Sequence, residues 1–251
     1  AETDGLLKVD KEKLNAVNGL GQIVIASRHG NFPVKKGDKV AGMRVVPLVI
    51  EEEKMQKACE VAGKEPIFRI LPYQKKKAGI VTTGSEVYYH RIEDKFTPVV
   101  IEKLKECGVT EVKQIQCNDD HEMITEAIQT LIEDGSDLIV CTGGMSVDPD
   151  DRTPLAIKNA CTEVVTYGAP VLPGAMFMLA YCEKEGRQIP VMGLPGCVMY
   201  AKRTIFDLVL PRIMCDEKLH EKDFRLLGQG GLCLSCPVCT FPNCGFGKGG
   251  Y

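Results

Sequence analysis

The stretch "IVCTGGMSVDPDDRTP", residues 139–154, decides how this chain is read. An apolar run stops at two glycines, aspartates stand at 148, 150 and 151, and a Thr-Pro pair closes it. A run apolar on both faces describes a strand buried on both sides, as in a parallel sheet. Pro154 fits the first turn of a helix, with Thr153 expected as its N-cap. The local unit is therefore strand, glycine turn, helix.

Working outward, the same unit recurs. "AGIVTTG" (78–84) is a buried strand, and Thr97-Pro98 opens a helix whose face is Val100, Ile101, Leu104 and Cys107. "EVKQIQC" (111–117) is a second strand. "DDHEMITEAIQTLIEDG" (119–135) carries Met123, Ile124, Ala127, Ile128, Leu131 and Ile132 at helical spacing, with Asp119 and Glu122 as an expected capping box. Further on, "TPLAIKNAC" (153–161) and "GAMFMLAYCEKEG" (174–186) read as helices. "IPVMGLPG" (189–196) reads as a strand and "VMYAKRTIFDLVLPRIM" (198–214) as one long amphipathic helix. Strands alternating with helices imply βαβ crossovers and a mainly parallel sheet covered on both faces. The expected class is α/β, a three-layer α/β/α sandwich.

This rhythm holds over 76–216. Before it, residues 1–75 read as a small β-rich module. The strand-like runs there are "GQIVIASRHG", "KKGDKVAGMRVVPLVI" and "PIFRILP", and one helix, "EEEKMQKACEVAG", ends at Gly63. Arg28 and His29 read as a solvated loop rather than a site. Residues 217–251 form a tail rich in Cys, Gly and Pro. The start at Ala1 reads as mid-protein sequence, so the chain is expected to belong to a longer protein.

Composition narrows the function. In 251 residues the apolar fraction is 44%, aromatics are 6% without any Trp, and the net charge is −3. Only Lys75–Lys77 forms a basic run, so a nucleic-acid partner is not expected. No window approaches the ~18 apolar residues a membrane span needs, so no membrane partner is expected. Of twelve cysteines, several (Cys107, Cys141, Cys182) sit in apolar runs as small hydrophobes, which suits a reducing cytoplasm.

Three strands end in glycine turns: Thr83-Gly84-Ser85-Glu86, Thr142-Gly143-Gly144 with Ser146 beyond, and Gly193-Leu194-Pro195-Gly196. In an open parallel sheet such turns gather at the carboxyl edge, where ligands bind. Glycines let backbone N–H groups approach an anion, and the next helix N-terminus adds positive partial charge. Neither a Walker pattern nor G-x-G-x-x-G occurs, which removes the P-loop and dinucleotide readings. Asp148, Asp150 and Asp151 would repel a bound phosphate unless a cation intervened, so Asp148 and Asp151 are candidate Mg²⁺ ligands. A helix entry needs fewer carboxylates.

At this point the motifs resemble a known family. "GIVTTGSEV", "NDDHEMI", "LIVCTGGMSVDPDD", "LPGAMF" and "VMGLPG", in that order over about 76–212, resemble the molybdopterin-binding domain of molybdenum-cofactor biosynthesis. That family includes molybdopterin adenylyltransferase and molybdopterin molybdotransferase. The resemblance implies a transferase fold in which Gly143, Gly144 and Ser146 hold the pterin phosphate. It places Ser85 and Glu86 in a second turn, Gly193–Gly196 in a third, and functional carboxylates at Asp119 and Asp151. It implies molybdopterin or its adenylate as ligand, ATP or molybdate as co-substrate, and a homo-oligomer. Two departures stand out: Asp148 where molybdotransferases usually have Gly, and Cys197-Val198 where they usually have Asn-Pro. A thiol at Cys197 could approach the ligand's dithiolene or simply pack.

The tail adds Cys233, Cys236, Cys239 and Cys244, spaced C-x2-C-x2-C-x4-C. Four soft ligands in one short loop suit Zn²⁺ or an iron–sulfur cluster. A redox pair or an untethered tail are the alternatives. Two functions therefore compete: an enzyme that adenylylates molybdopterin or inserts molybdate, and a non-catalytic cofactor carrier or sensor with a metal-binding tail. Hydrolysis of nucleotide-like metabolites, another use of such a fold, has no specific feature behind it.

Overall fold

The computed structural model describes residues 1–146, 148 and 151–249. The chain divides into two compact units, Ala1–Tyr73 and the residues from Gln74 onward. The first unit contains β1 (Gly5–Val9), α1 (Lys11–Gly19), β2 (Ile23–Ser27), β3 (Phe32–Val34), β4 (Ala41–Val45), α2 (Glu52–Ala62) and β5 (Phe68–Pro72). β1 lies between β3 and β5, antiparallel to both, while β2 and β4 form a separate antiparallel ribbon. Val17, Ile23 and Ala58 make a small core between the helices and the ribbon. The module thus holds two helices, not the one expected. α1 escaped notice because only Val17 of its nine residues is buried, leaving little apolar periodicity.

The second unit contains β6 (Lys77–Thr83), α3 (Ser85–Tyr88), α4 (Phe96–Glu106), β7 (Glu111–Cys117), α5 (His121–Glu133), β8 (Leu138–Thr142) and α6 (Thr153–Ala160). β9 (Glu163–Tyr167), β10 (Met178–Lys184), β11 (Arg187–Leu194), α7 (Ile205–Ile213) and α8 (Glu221–Arg225) follow. Six strands form one sheet in the order β7-β6-β8-β11-β10-β9. The first four run parallel, and β10 is antiparallel to both its neighbours. This is the expected three-layer α/β/α sandwich with a mainly parallel sheet.

Alternation along β6 shows the layering. Val81 joins the cluster built from α5 and α6, including Ile124, Ile128 and Ile157. Thr82, one residue on, faces the other way and hydrogen-bonds Thr97 of α4 at 2.8 Å. On that second face Lys103 of α4 reaches Asp207 of α7 at 2.7 Å, with both side chains buried. Thr204 caps α7 and Asp207 completes a capping box, so one carboxylate both caps the helix and neutralises a buried lysine.

Two expected helices are replaced. "GAMFMLAYCEKEG" holds strand β10, paired residue for residue with β11 from Lys184–Arg187 back to Met178–Gly193. The turn is Glu185-Gly186, both at positive φ (52° and 75°), as a type I′ hairpin requires. The segment "VMYAKRTIFDLVLPRIM" breaks into a single 3₁₀ turn, Gly196–Met199, and α7, which starts only after the Thr204 cap. Three caps also move. Asp94, not Thr97, accepts the first N–H groups of α4, from Phe96 and Thr97. Asp120, not Asp119, caps α5 by accepting from Glu122 and Met123. Thr153 lies inside α6 and turns its hydroxyl onto the Gly143 carbonyl instead. Cys182, expected as a free small hydrophobe, pairs with Cys161 in a disulfide that ties the end of α6 to β10. Cys107 and Cys141 are buried and stand outside any disulfide.

Candidate functional site

Because β7, β6, β8 and β11 are parallel, the turns that follow them meet at one edge of the sheet. Thr83 and Thr142 end adjacent strands, and both are buried. Thr83 Oγ1 donates to the Thr142 carbonyl at 3.1 Å and contacts Thr153 Oγ1 at 3.2 Å. Thr153 Oγ1 in turn donates to the Gly143 carbonyl at 2.9 Å. Two hydroxyls thus hold the carbonyls on either side of the glycine turn. Gly143 and Gly144 have φ of 88° and 55°, and a Cβ on Gly143 would strike the Thr83 carbonyl. The turn can be built only from glycine there.

Thr142 is the exception in this satisfied frame. It is fully buried, and its hydroxyl is the one buried side-chain polar atom without a partner among the described residues. Such an atom costs about 1–3 kcal/mol unless a ligand completes it. Thr142 lines a cleft of ≈ 840 Å³ together with Thr82, Thr83, Gly143, Asp94 and Tyr200. Gly84 and Gly196 have open space where a Cβ would stand, so both present bare backbone.

Asp119 follows β7 and Asp151 follows β8, the strands on either side of β6. Asp119 Oδ2 accepts from the Ser85 N–H at 2.8 Å and from the Ser85 hydroxyl at 2.7 Å. Asp151 Oδ2 accepts from the Ser146 N–H at 2.6 Å, and the Ser146 hydroxyl accepts from the Asp148 N–H at 3.3 Å. The Ser146 amide is therefore committed to Asp151, leaving the hydroxyl as the donor of that residue. Burial, then the Asp151 charge, raises the Tyr167 phenol. Asp148 and Glu86 are exposed, and Asp150 lies outside the described residues.

Other expected residues take quieter places. Gly193 is buried and makes room for Met145, whose Sδ would stand 2.7 Å from a Cβ. Pro195 is buried at the entry to the 3₁₀ turn. Cys197 is half-buried, and burial raises its thiol despite a hydrogen bond to its own backbone, so it is protonated at neutral pH. Cys233, Cys236, Cys239 and Cys244 line a different cavity. Among the described residues no three His, Cys, Asp or Glu side chains form a group that could hold a metal ion.

Sequence reasoning missed Asp94 and Tyr200. Burial works against the charge of Asp94, but bonds from the Thr97 hydroxyl, the Thr97 and Phe96 amides and Gln114 outweigh it and hold its carboxyl below the usual value. Its signal was available: an Asp two residues before the helix start is a capping pattern. Tyr200 had no signal, since only the break of the long expected helix brings it to the cleft.

Fold and edge together define an α/β/α protein whose glycine turns gather at the carboxyl ends of a parallel sheet. Residues 79–214 match the family described as "Probable molybdopterin binding domain", and the chain belongs to that family. A CinA-like protein of Mycobacterium sp. (strain MCS) is 35% identical over 85 residues, 34% of this chain. The chain spans only 20% of that relative's length. The tungsten cofactor synthesizing protein MoaB of Pyrococcus furiosus is 23% identical with a TM-score of 0.43, over 50% of this chain and 84% of that one. The molybdopterin biosynthesis Mog protein of Mycobacterium ulcerans is 19% identical with a TM-score of 0.43, over 55% and 92%.

Proposed function

We propose that the second unit binds molybdopterin by its terminal phosphate and catalyses adenylyl transfer to that phosphate in molybdenum-cofactor biosynthesis. The observation that carries this reading is the buried, unpartnered Thr142 hydroxyl at the mouth of the Gly143-Gly144 turn. A phosphate oxygen there accepts the hydroxyl proton and meets backbone that no side chain shields. Gly84 and Gly196 offer open backbone at the two other turns. The apolar wall of the cleft, with Val87, Ile92, Phe96 and Met199, suits a flat heterocycle.

In the proposed reaction a phosphate oxygen of the pterin attacks the α-phosphorus of ATP, a new P–O–P bond forms, and pyrophosphate leaves. Asp119 and Asp151 would be the residues to hold Mg²⁺ through hard oxygen ligands, and the ion would supply neutralisation of the charge that develops on the phosphates. Ser85 and Ser146 orient those carboxylates through the hydrogen bonds described above. Catalysis of this kind rests on positioning and charge neutralisation rather than on a protein nucleophile.

The test is to incubate the purified chain with molybdopterin, ATP and Mg²⁺ and follow pyrophosphate. Release that depends on molybdopterin supports the reading. Tight pterin binding without release would make the protein a carrier or sensor. Consumption of adenylated molybdopterin only when molybdate is added would move the chemistry to metal insertion.

A further inference from the structure

The second large cavity of this unit lies under the Cys-rich segment. It encloses ≈ 500 Å³, and Cys233, Cys236, Cys239 and Cys244 all line it. All four are free thiols. Among the described residues the cationic side chains on its wall are Lys202 and Arg203, and no carboxylate lines it. Arg203 lies over the Phe241 ring at 5.2 Å, and Lys202 Nζ donates to the Pro237 carbonyl at 3.1 Å.

The segment is anchored at both ends and exposed between them, with the Lys202 bond to Pro237 in its middle. Cys233 N–H donates to the Leu172 carbonyl at 2.7 Å, and Gly247 N–H to the Gly230 carbonyl at 2.9 Å. Residues 234–240 are all exposed and form neither helix nor strand. Leu234 and Val238 show 78% and 77% of their surfaces to solvent. Burial of apolar surface therefore does little to hold this run. Segments with too little core are held by cross-links or by metal.

The geometry points to a tetrathiolate site: Cys233, Cys236, Cys239 and Cys244 bind one thiophilic centre, Zn²⁺ or an iron–sulfur cluster, and its binding folds residues 234–240 onto the Tyr200–Arg203 wall. Each thiol gives up its proton to solvent on ligation. A metal with four thiolates is net negative, and Lys202 on the cavity wall favours the thiolates, while the Arg203 charge is already met by Glu106 and Asp207. The sulfurs share a cavity without yet sharing a centre, since no three ligand side chains already converge among the described residues. Tyr200 stands on the walls of both this cavity and the pterin cleft, so the two sites are neighbours. The proposal does not depend on what the cleft binds.

The test uses the full chain, reduced and freed of metal under anaerobic conditions, in two arms. Co²⁺ is titrated as a spectroscopic stand-in for Zn²⁺, and ferrous and ferric iron with sulfide are supplied separately. Support is saturation at about one centre per chain in either arm, with thiolate-to-metal charge-transfer absorption. The arm that saturates identifies the centre. Hydrogen exchange across 234–240 should slow when it is loaded. Cys236→Ser/Cys239→Ser, both at exposed positions, should weaken metal retention at least tenfold and remove the absorption while leaving far-UV dichroism unchanged. Absence of thiolate absorption and of retained metal in both arms would overturn the proposal, as would an unchanged signal in the double variant.

Discussion

One oxygen of Asp119 accepts both the backbone N–H and the hydroxyl of Ser85, at 2.8 and 2.7 Å, and so ties the turn after β7 to the turn after β6. The neighbouring Asp120 takes over the capping of α5, which leaves Asp119 for this link. Asp119→Asn keeps an acceptor but loses the charge. It is expected to fold normally and to lose about 10²-fold in kcat/KM for pyrophosphate release, the scale of a misplaced reacting group. Turnover like the parent's would remove Asp119 from the site.

Asp151 makes the matching link to the Ser146 N–H. Asp151→Asn should leave the urea midpoint unchanged while abolishing the Mg²⁺-dependent part of the activity, because only the charge goes. A variant that still responds to Mg²⁺ as the parent does would refute that role.

Thr142→Val gives effects of opposite sign on stability and binding. Replacing an unpartnered buried hydroxyl by a methyl should leave stability unchanged or raise it by about 1 kcal/mol, measured by urea unfolding. Affinity for the pterin phosphate should fall about tenfold, the worth of one hydrogen bond to a charged group. Loss of stability without loss of affinity would mean the hydroxyl serves the fold alone.

The glycines separate in the same way. Gly143→Ala puts a Cβ against the Thr83 carbonyl at a φ of 88° and should cost at least about 3 kcal/mol, read as a collapse of the soluble folded fraction. Gly196→Ala meets open space, so it should fold like the parent yet weaken ligand binding measured by calorimetry. Equal behaviour of the two variants would contradict their placement.

Two charged groups govern stability on the second face and at the cleft. Asp207→Ala strands the buried Lys103 ammonium and should cost about 3–5 kcal/mol in chemical unfolding. Asp94 works through pH. Its carboxyl is held below the unfolded value, so its contribution is fully present above pH ~4 and is lost as pH falls through the folded-state value. Asp94→Asn should therefore flatten the acid limb of the stability profile. An acid limb identical to the parent's would show that Asp94 contributes nothing there.

Local pattern alone determined the parallel core of this protein. β6, β8 and β11 are short apolar runs punctuated by glycine, and α5 repeats its buried residues at helical spacing; both signals survive without any neighbour. The ordered glycine turns also share one edge, because a parallel sheet places all such turns together. Only tertiary structure decided the rest. "MFMLAYCEK" is apolar enough for either a helix or a strand, and pairing with β11 across the Glu185-Gly186 turn makes it a strand. The long expected helix broke because the Thr204 and Asp207 cap fixes a new start, where Asp207 also meets Lys103 from another helix. Asp119 and Asp120 are the same residue type side by side. Which one caps and which reaches Ser85 is set by side-chain direction in the folded turn, and no sequence spacing carries that.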